Sequence, residues 1–548
     1  MGGLGVAAGL LIVLLLALGP PLALSALAVL RYLAAPASRP LTAPLAPAVL
    51  GATLGYPALI AALATVLACP AAWFLRAPAR SLAFRIALVA TPLLLPAYLA
   101  YAALGLLRAP GTRLADLLSR QEPWIGLAVS KLLAVTGLTL WCWPLAALIL
   151  APAVRALRQD TLDALRLHAP SHRQRLAFLT RLLAPSLAGA FACLFLVMLG
   201  SAVPLHLAQI DTAATRLWRL LSLWPDPAPA WVAASPVAVV ALVAALALAR
   251  RLGRAPFPEA GMGVAPGDTR PGRTATACTL AILSASLLLP MLLFVRALAP
   301  DGGWPTAAEI ASASARFWRD SGPAVLESAR VALAVAAAAG LICASTWIGF
   351  SRPGDSPASS WARRLAAGAC GLLLLGALLP GVLVGSALAH AVARPGAPLW
   401  LADSQVPLVV AHIARFGFLP ALLGAWAAAS GPAALRDLRR LDGATGLRFF
   451  PPLELQRAWT LPVGAAIAAF VLSFHEIEAT VMLQPPGHHA LAQQLLEQLH
   501  YARDRRLAAA ALNLLGSGTL LALLAAYSMA RPAVRAARGS NAQTTTVL

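Results

Sequence analysis

The chain has 548 residues, 60% of them hydrophobic and only 11% charged, with a mean hydropathy of +0.77. Soluble domains carry roughly 25% charged residues, so the composition excludes a soluble globular fold and points to a polytopic membrane protein. The formal net charge of +21 implies no nucleic-acid partner, because the arginines are scattered between apolar runs and gather into no basic domain.

A bilayer-spanning helix needs about 20 apolar residues. Candidate spans, about twelve in all, run at 4–32, 47–75, 84–107, 124–151, 183–207, 231–249, 276–297, 326–349, 367–391, 405–429, 461–483 and 508–530. The first lacks a basic leading segment and is long for a signal peptide, so it reads as a retained helix. Several spans contain proline, which membrane helices tolerate as kinks. In the fourth span stands Lys131, the single lysine of the chain. Ser130 precedes it where a P-loop needs glycine, so the chain has no standard nucleotide-binding loop. The six cysteines, Cys69, Cys142, Cys193, Cys278, Cys343 and Cys370, lie in or beside apolar runs without a C-x-x-C pair. They read as small core residues, not as a disulfide framework or a zinc site. Most of the arginines fall in the loops that are cytoplasmic when both termini are cytoplasmic, which sets that orientation.

The chain reads as an all-α membrane protein built from two parallel six-helix repeats. Residues 1–250 form the first repeat, 251–273 a Pro/Gly-rich cytoplasmic linker, and 274–548 the second. Shifting one half by roughly 275 residues lays FLVMLGSAVPLHL (195–207) on FVLSFHEIEATVM (470–482). In each half an Arg-rich cytoplasmic segment joins the fourth and fifth spans. It begins as a charged helix at Asp163–Arg166 or Asp437–Arg440 and then breaks, at Ala169-Pro170-Ser171 or at Asp442-Gly443-Ala444. Glycine takes tight-turn geometries closed to other residues, and proline can open a helix. Both segments therefore predict helix–turn–helix elbows at the inner surface.

These paired loops resemble the EAA loop of ABC importer permeases, whose pattern is Glu-Ala-Ala, three residues, Gly, then Ile-x-Leu-Pro. Asp437 stands at the Glu position, with Leu441-Asp442-Gly443-Ala444 around the glycine and Leu461-Pro462 after a longer interval. The first copy keeps Asp163-Ala164, but Ala169 replaces the glycine. Leu199-Gly200 in one half and Glu476 with Ala479-Thr480 in the other match the family's next stretch. ATVMLQPPG and then LHYARD (499–504) resemble the ferric-iron, thiamine and phosphonate branch, in which two permease domains are often fused.

The resemblance implies a non-catalytic transmembrane subunit of a type I importer in a bacterial inner membrane. A separate cytoplasmic ATPase dimer would bind ATP and Mg. A periplasmic or extracellular binding protein would deliver the cargo, ferric iron or a similar small solute. ATPase coupling would fall to Asp163, Ala164, His168 and Ala169 in the first elbow, and to Asp437, Arg440, Asp442 and Gly443 in the second. A secondary active transporter with six plus six helices is the alternative. A membrane-embedded enzyme finds no hydrolase elbow, and HEIEA is not H-E-x-x-H because Ala479 stands at the second histidine position.

His475, Glu476 and Glu478 sit within an apolar span, where ionisable groups are costly and usually functional. On the expected helix Glu476 and Glu478 point about 200° apart and form no carboxylate pair, whereas His475 and Glu478 can touch. Glu476 lies about 22 Å along the span from its cytoplasmic start. These three residues and Ser201, the counterpart of Glu476, are candidates for the translocation path. A carboxylate bracing the bundle is the other reading of Glu476. No metal site is expected, since His488, His489 and His500 fit no ligand spacing. Residues 484–506 read as an outer loop with a short amphipathic helix, facing a binding protein or lying on the membrane surface.

Overall fold

The computed structural model describes residues 2–34, 45–109, 111–169, 171–223, 226–254, 272–299, 303–351, 357–431, 458–501 and 503–544. Within them every regular element is helical and none is a strand, as a backbone must be where no water satisfies its polar groups. Nine helices among the described residues are long and apolar enough to cross a membrane, or up to eleven if each of two bent pairs is one span. The eleventh expected span, 461–483, forms a shorter helix that breaks.

The first half opens with α1 (Gly2–Leu33) and α2 (Pro47–Phe74). The third span is bent by 69°: α3 (Ala79–Ala90) tightens into a 3-10 turn over Thr91–Leu94, stops at Leu95, and restarts after Pro96 as α4 (Ala97–Gly105). Trp141 donates its indole N–H to the Leu95 carbonyl freed there. A short α5 (Arg113–Ser119) precedes α6 (Pro123–Ala156), followed by α7 (Gln159–His168), α8 (His172–Leu199), α9 (Ala202–Leu207), α10 (Ala213–Leu223), α11 (Ala228–Ala233) and α12 (Ser235–Arg254).

The second half opens with α13 (Arg273–Leu283) and α14 (Leu289–Leu298), joined by a π-helical turn over Ser284–Leu288. Next come α15 (Ala307–Phe350), α16 (Pro357–Leu378), α17 (Gly381–Val392) and α18 (Leu399–Ala402). Then α19 (Val406–Phe416) and α20 (Phe418–Ala429) meet at a 50° bend. The described chain resumes with α21 (Thr460–Phe474), α22 (Glu478–Leu483), α23 (Leu491–His500) and α24 (Asp504–Thr544).

Two helices start well before their expected spans, each at a capping box. Thr306 and Glu309 cap each other's backbone at α15, and Ser171 and Gln174 do so at α8. A box satisfies two of the orphan N–H groups of a helix start, so the helix begins at the box and not at the edge of the apolar run. The 44 residues of α15 reach about 66 Å, twice the hydrocarbon core.

The packing is reciprocal between the two halves of the sequence. α1 packs on α15, α16 and α17, while α13 packs on α2 and α14 on α4; α12 packs on α16, and α24 on α3. Small residues permit the close crossings. A Cβ at Gly371 of α16 would lie 2.9 Å from the Ala249 Cβ and 3.0 Å from the Ala245 carbonyl of α12, the small-residue contact that membrane helices use where lipid supplies no hydrophobic drive.

Candidate functional site

The break in the span at 461–483 builds the site. α21 ends at Phe474, His475 to Ile477 leave the helix, and α22 begins at Glu478. Glu476 folds back over the start of α22. Its two carboxylate oxygens accept from the Ala479 N–H at 3.1 Å each, and one also accepts from the Thr480 N–H at 3.1 Å and from its hydroxyl at 3.2 Å. The orphan donors of a helix start are thereby satisfied, and the positive end of the peptide dipoles stabilises the anion.

Glu478 reaches two further helix starts. Oε1 accepts from the Ala202 N–H of α9 at 2.8 Å, and Oε2 from the Gly381 N–H of α17 at 3.1 Å. The guanidinium of Arg415, on α19, lies between the carboxylates. Its Nη1 is 3.0 Å from Glu476 Oε1 and 2.9 Å from Glu478 Oε2, and its Nη2 donates to the Gly200 carbonyl at 2.7 Å. A Cβ on either Gly200 or Gly381 would collide with this guanidinium, so both positions need glycine for close approach. One turn earlier on α19, His412 bonds Ser473 at 2.7 Å and Thr480 at 3.1 Å, with its Nε2 3.4 Å from Glu476 Oε2.

These side chains are buried, with 2–4% exposure for Glu476, Glu478, His412 and Arg415. Buried charge is tolerated only where it is paired and hydrogen-bonded, and here the charged groups all find partners. Two carboxylates share one guanidinium, so the four groups sum to −1 with a neutral imidazole and to zero with an imidazolium. The network joins both halves: Gly200 and Ala202 come from the first, and the remaining members from the second. It holds the starts of α9, α17 and α22 in place.

The sequence-based candidates divide accordingly. Glu476 and Glu478, expected to diverge, converge on Arg415 because the helix is broken between them and its 100° step no longer applies. For the same reason His475 does not pair with Glu478. Its ring stacks edge-on against Phe474 at 5.7 Å and lies beside the Leu94 carbonyl. Its Nδ1 is buried without a hydrogen-bond partner among the described residues. Ser201 bonds the Val197 carbonyl at 3.2 Å. With Arg415, His475, Glu476 and Glu478 it lines a cavity of about 60 Å³. A second cavity, of about 480 Å³, is also lined by Glu478.

The first elbow forms a helix–turn–helix. Arg76 donates to the Leu157 carbonyl at 2.7 Å, and Arg155 to the carbonyls of Leu75 and Ala77 at 3.2 and 3.1 Å, tying the base of α7 to the loop after α2. Beyond α7, Arg175 donates to the Ala169 carbonyl at 2.7 Å and the Arg166 carbonyl at 3.3 Å, clamping the turn. No residue of α7 is buried, including Asp163, Ala164 and His168. Leu167 is 82% exposed, and Asp163 pairs with Arg166 at 2.9 Å. Ala169 is buried as the cap. Asp437, Arg440, Asp442 and Gly443 lie outside the described residues. Among the described residues no three His, Cys, Asp or Glu side chains gather as a potential metal-binding group.

Reading the sequence missed His412, Arg415 and Gly381, and singled out Gly200 only through the resemblance, with no role in a site. The rule that singled out Glu476, an ionisable group within an apolar span, applies equally to His412 and Arg415 in VVAHIARFGF. The two glycines carried no such signal, because their role depends on where Arg415 arrives. No family model matches the chain, and no curated protein is significantly similar to it.

Proposed function

We propose that the chain is the membrane-spanning permease subunit of an ATP-driven importer, energised by a separate cytoplasmic ATPase. The observation that carries this reading is α7: a helix braced through backbone bonds from Arg76, Arg155 and Arg175, yet burying none of its own side chains. Such a helix is a rigid lever with a free face, and Leu167 leaves an exposed apolar side chain on it. The packing of α1 and α12 on second-half helices, and of α13 on α2 and α24 on α3, supports two repeats in one chain. So do the matched restarts at Pro96 (φ −53°, ψ 139°) and Pro380 (φ −51°, ψ 137°). Force applied at the elbows would rock the halves about the Arg415–Glu478 junction. A binding protein at the outer face would deliver a small solute, and the resemblance names ferric iron first among candidates.

Isolation of the tagged chain from its native membrane should bring an ATP-hydrolysing subunit with it. Leu167→Glu should abolish that association and the uptake it drives, while the chain stays folded in the membrane. Uptake unaltered by this change would sink the proposal. The His412–Glu476 contact favours one other reading, a proton-coupled carrier, because buried His–carboxylate pairs serve as proton relays in membranes. Solute accumulation by the purified chain alone in liposomes with an imposed proton gradient would establish that reading instead.

A further inference from the structure

The cavity of about 480 Å³ beside Glu478 is lined by α9 and α10 from the first half and by α17 and α23 from the second. Its volume suits a small organic molecule. Most of the lining is apolar, with Trp218, Leu223 and Leu496 as its largest side chains. The polar lining residues are His206, Thr215, Arg219, Ser222, Glu478 and His500, with Thr215 and Ser222 bonded to backbone carbonyls of their own helix region. The two imidazole rings stand 6.5 Å apart. Arg219 makes no ion pair or side-chain hydrogen bond among the described residues, whereas its neighbour Arg216 is taken up by Asp211 at 2.6 Å. The acid on the lining is Glu478, whose oxygens already serve Arg415, Ala202 and Gly381.

We propose that this cavity is a binding site for a small organic oxyanion, a carboxylate or a phosphate ester carried on an apolar or aromatic body. Arg219 holds the anionic head through charge-assisted hydrogen bonds, with the imidazole of His206 as a further donor, while His500 spends its Nδ1–H on the Leu496 carbonyl. Trp218, Leu223 and Leu496 bury the body. A bare ferric ion would meet Arg219 as a like charge and find no free carboxylate, so the site narrows the small solute to an anion. Only the role of this site as a station on the transport path rests on the importer reading; the binding itself does not.

Calorimetric titration of the full chain in nanodiscs, with no ATPase present, separates the two. Benzoate, phenyl phosphate, acetate, inorganic phosphate and benzylammonium serve as probes. Benzoate or phenyl phosphate should bind with a Kd of about 1 mM or tighter, and the better of the two identifies the head group. Acetate and inorganic phosphate should bind about tenfold more weakly for want of an apolar body. Arg219→Ala should weaken the aromatic anion by about tenfold or more, and Arg219→Lys should retain the preference for anions. The proposal is overturned if neither aromatic anion binds, if benzylammonium binds as well as benzoate, if acetate matches benzoate, or if Arg219→Ala changes nothing. Binding that persists in a Leu167→Glu chain with unaltered uptake would leave the site standing and remove the importer reading.

Discussion

Arg415 is the residue on which the buried network turns. Among the described residues it is the one permanent cation touching Glu476 and Glu478, and it also satisfies the Gly200 carbonyl across the junction. Removing one partner of a buried ion pair typically costs about 3–5 kcal/mol, because the other charge stays behind without compensation. Arg415→Met should therefore lower the thermal unfolding midpoint in detergent sharply. Glu478→Gln should cost less, about 1–3 kcal/mol, since the amide oxygen can still accept from one of the two helix starts. Gly381→Ala adds a single methyl group, yet it must displace the guanidinium, so its midpoint should fall toward that of Arg415→Met. A Gly381→Ala protein as stable as the parent would mean that Arg415 does not sit where the ion pairs require. How much of this site the sequence disclosed follows from the same residues. Ionisable groups within apolar spans were legible as such. Their grouping was not, because a helical step between Glu476 and Glu478 was assumed through a stretch where side-chain capping has replaced the helix.

At the scale of elements, the apolar runs revealed where spans lie, because burial in lipid demands them. They did not reveal where helices start and stop. The sequences T-A-A-E at Thr306 and S-H-R-Q at Ser171 carry the capping-box pattern, so those two starts were readable from residues alone. The break at His475 was not, since it depends on Glu476 finding Ala479 and Thr480 while Arg415 and His412 hold its charge. In the elbow, the clamp by Arg175 joins the end of α7 to the start of α8. Arg175→Ala removes both of its backbone bonds and leaves the Ser171 capping box in place. Amide exchange over residues 159–169 should then rise by about tenfold, while α8 beyond its first turn keeps its protection. Equal protection in parent and variant would show that the elbow is rigid for another reason.

For the whole molecule, the exchange of helices between halves carries a consequence for folding. α1 and α12 bury their faces largely on the second half, α13 packs on α2 of the first, and α14 and α24 divide their contacts between the two halves. Each half alone would expose small-residue faces shaped for close helix contact, such as the surface around Gly371. The second half would also hold Glu478 without the Ala202 N–H and Arg415 without the Gly200 carbonyl. Unsatisfied buried polar groups cost about 1–3 kcal/mol each, and more when charged, while whole native domains are stable by only about 5–15 kcal/mol. Residues 1–260 and 261–548, expressed separately, should accordingly be degraded or aggregate. Co-expressed as two chains, they should assemble in the membrane and copurify through a tag on either one. Introducing Arg415→Met into the second chain should lower the yield of the pair more than it lowers the yield of the uncut protein, since covalent linkage keeps the effective concentration of the halves high. A second half that is stable and monodisperse by itself would refute the exchange.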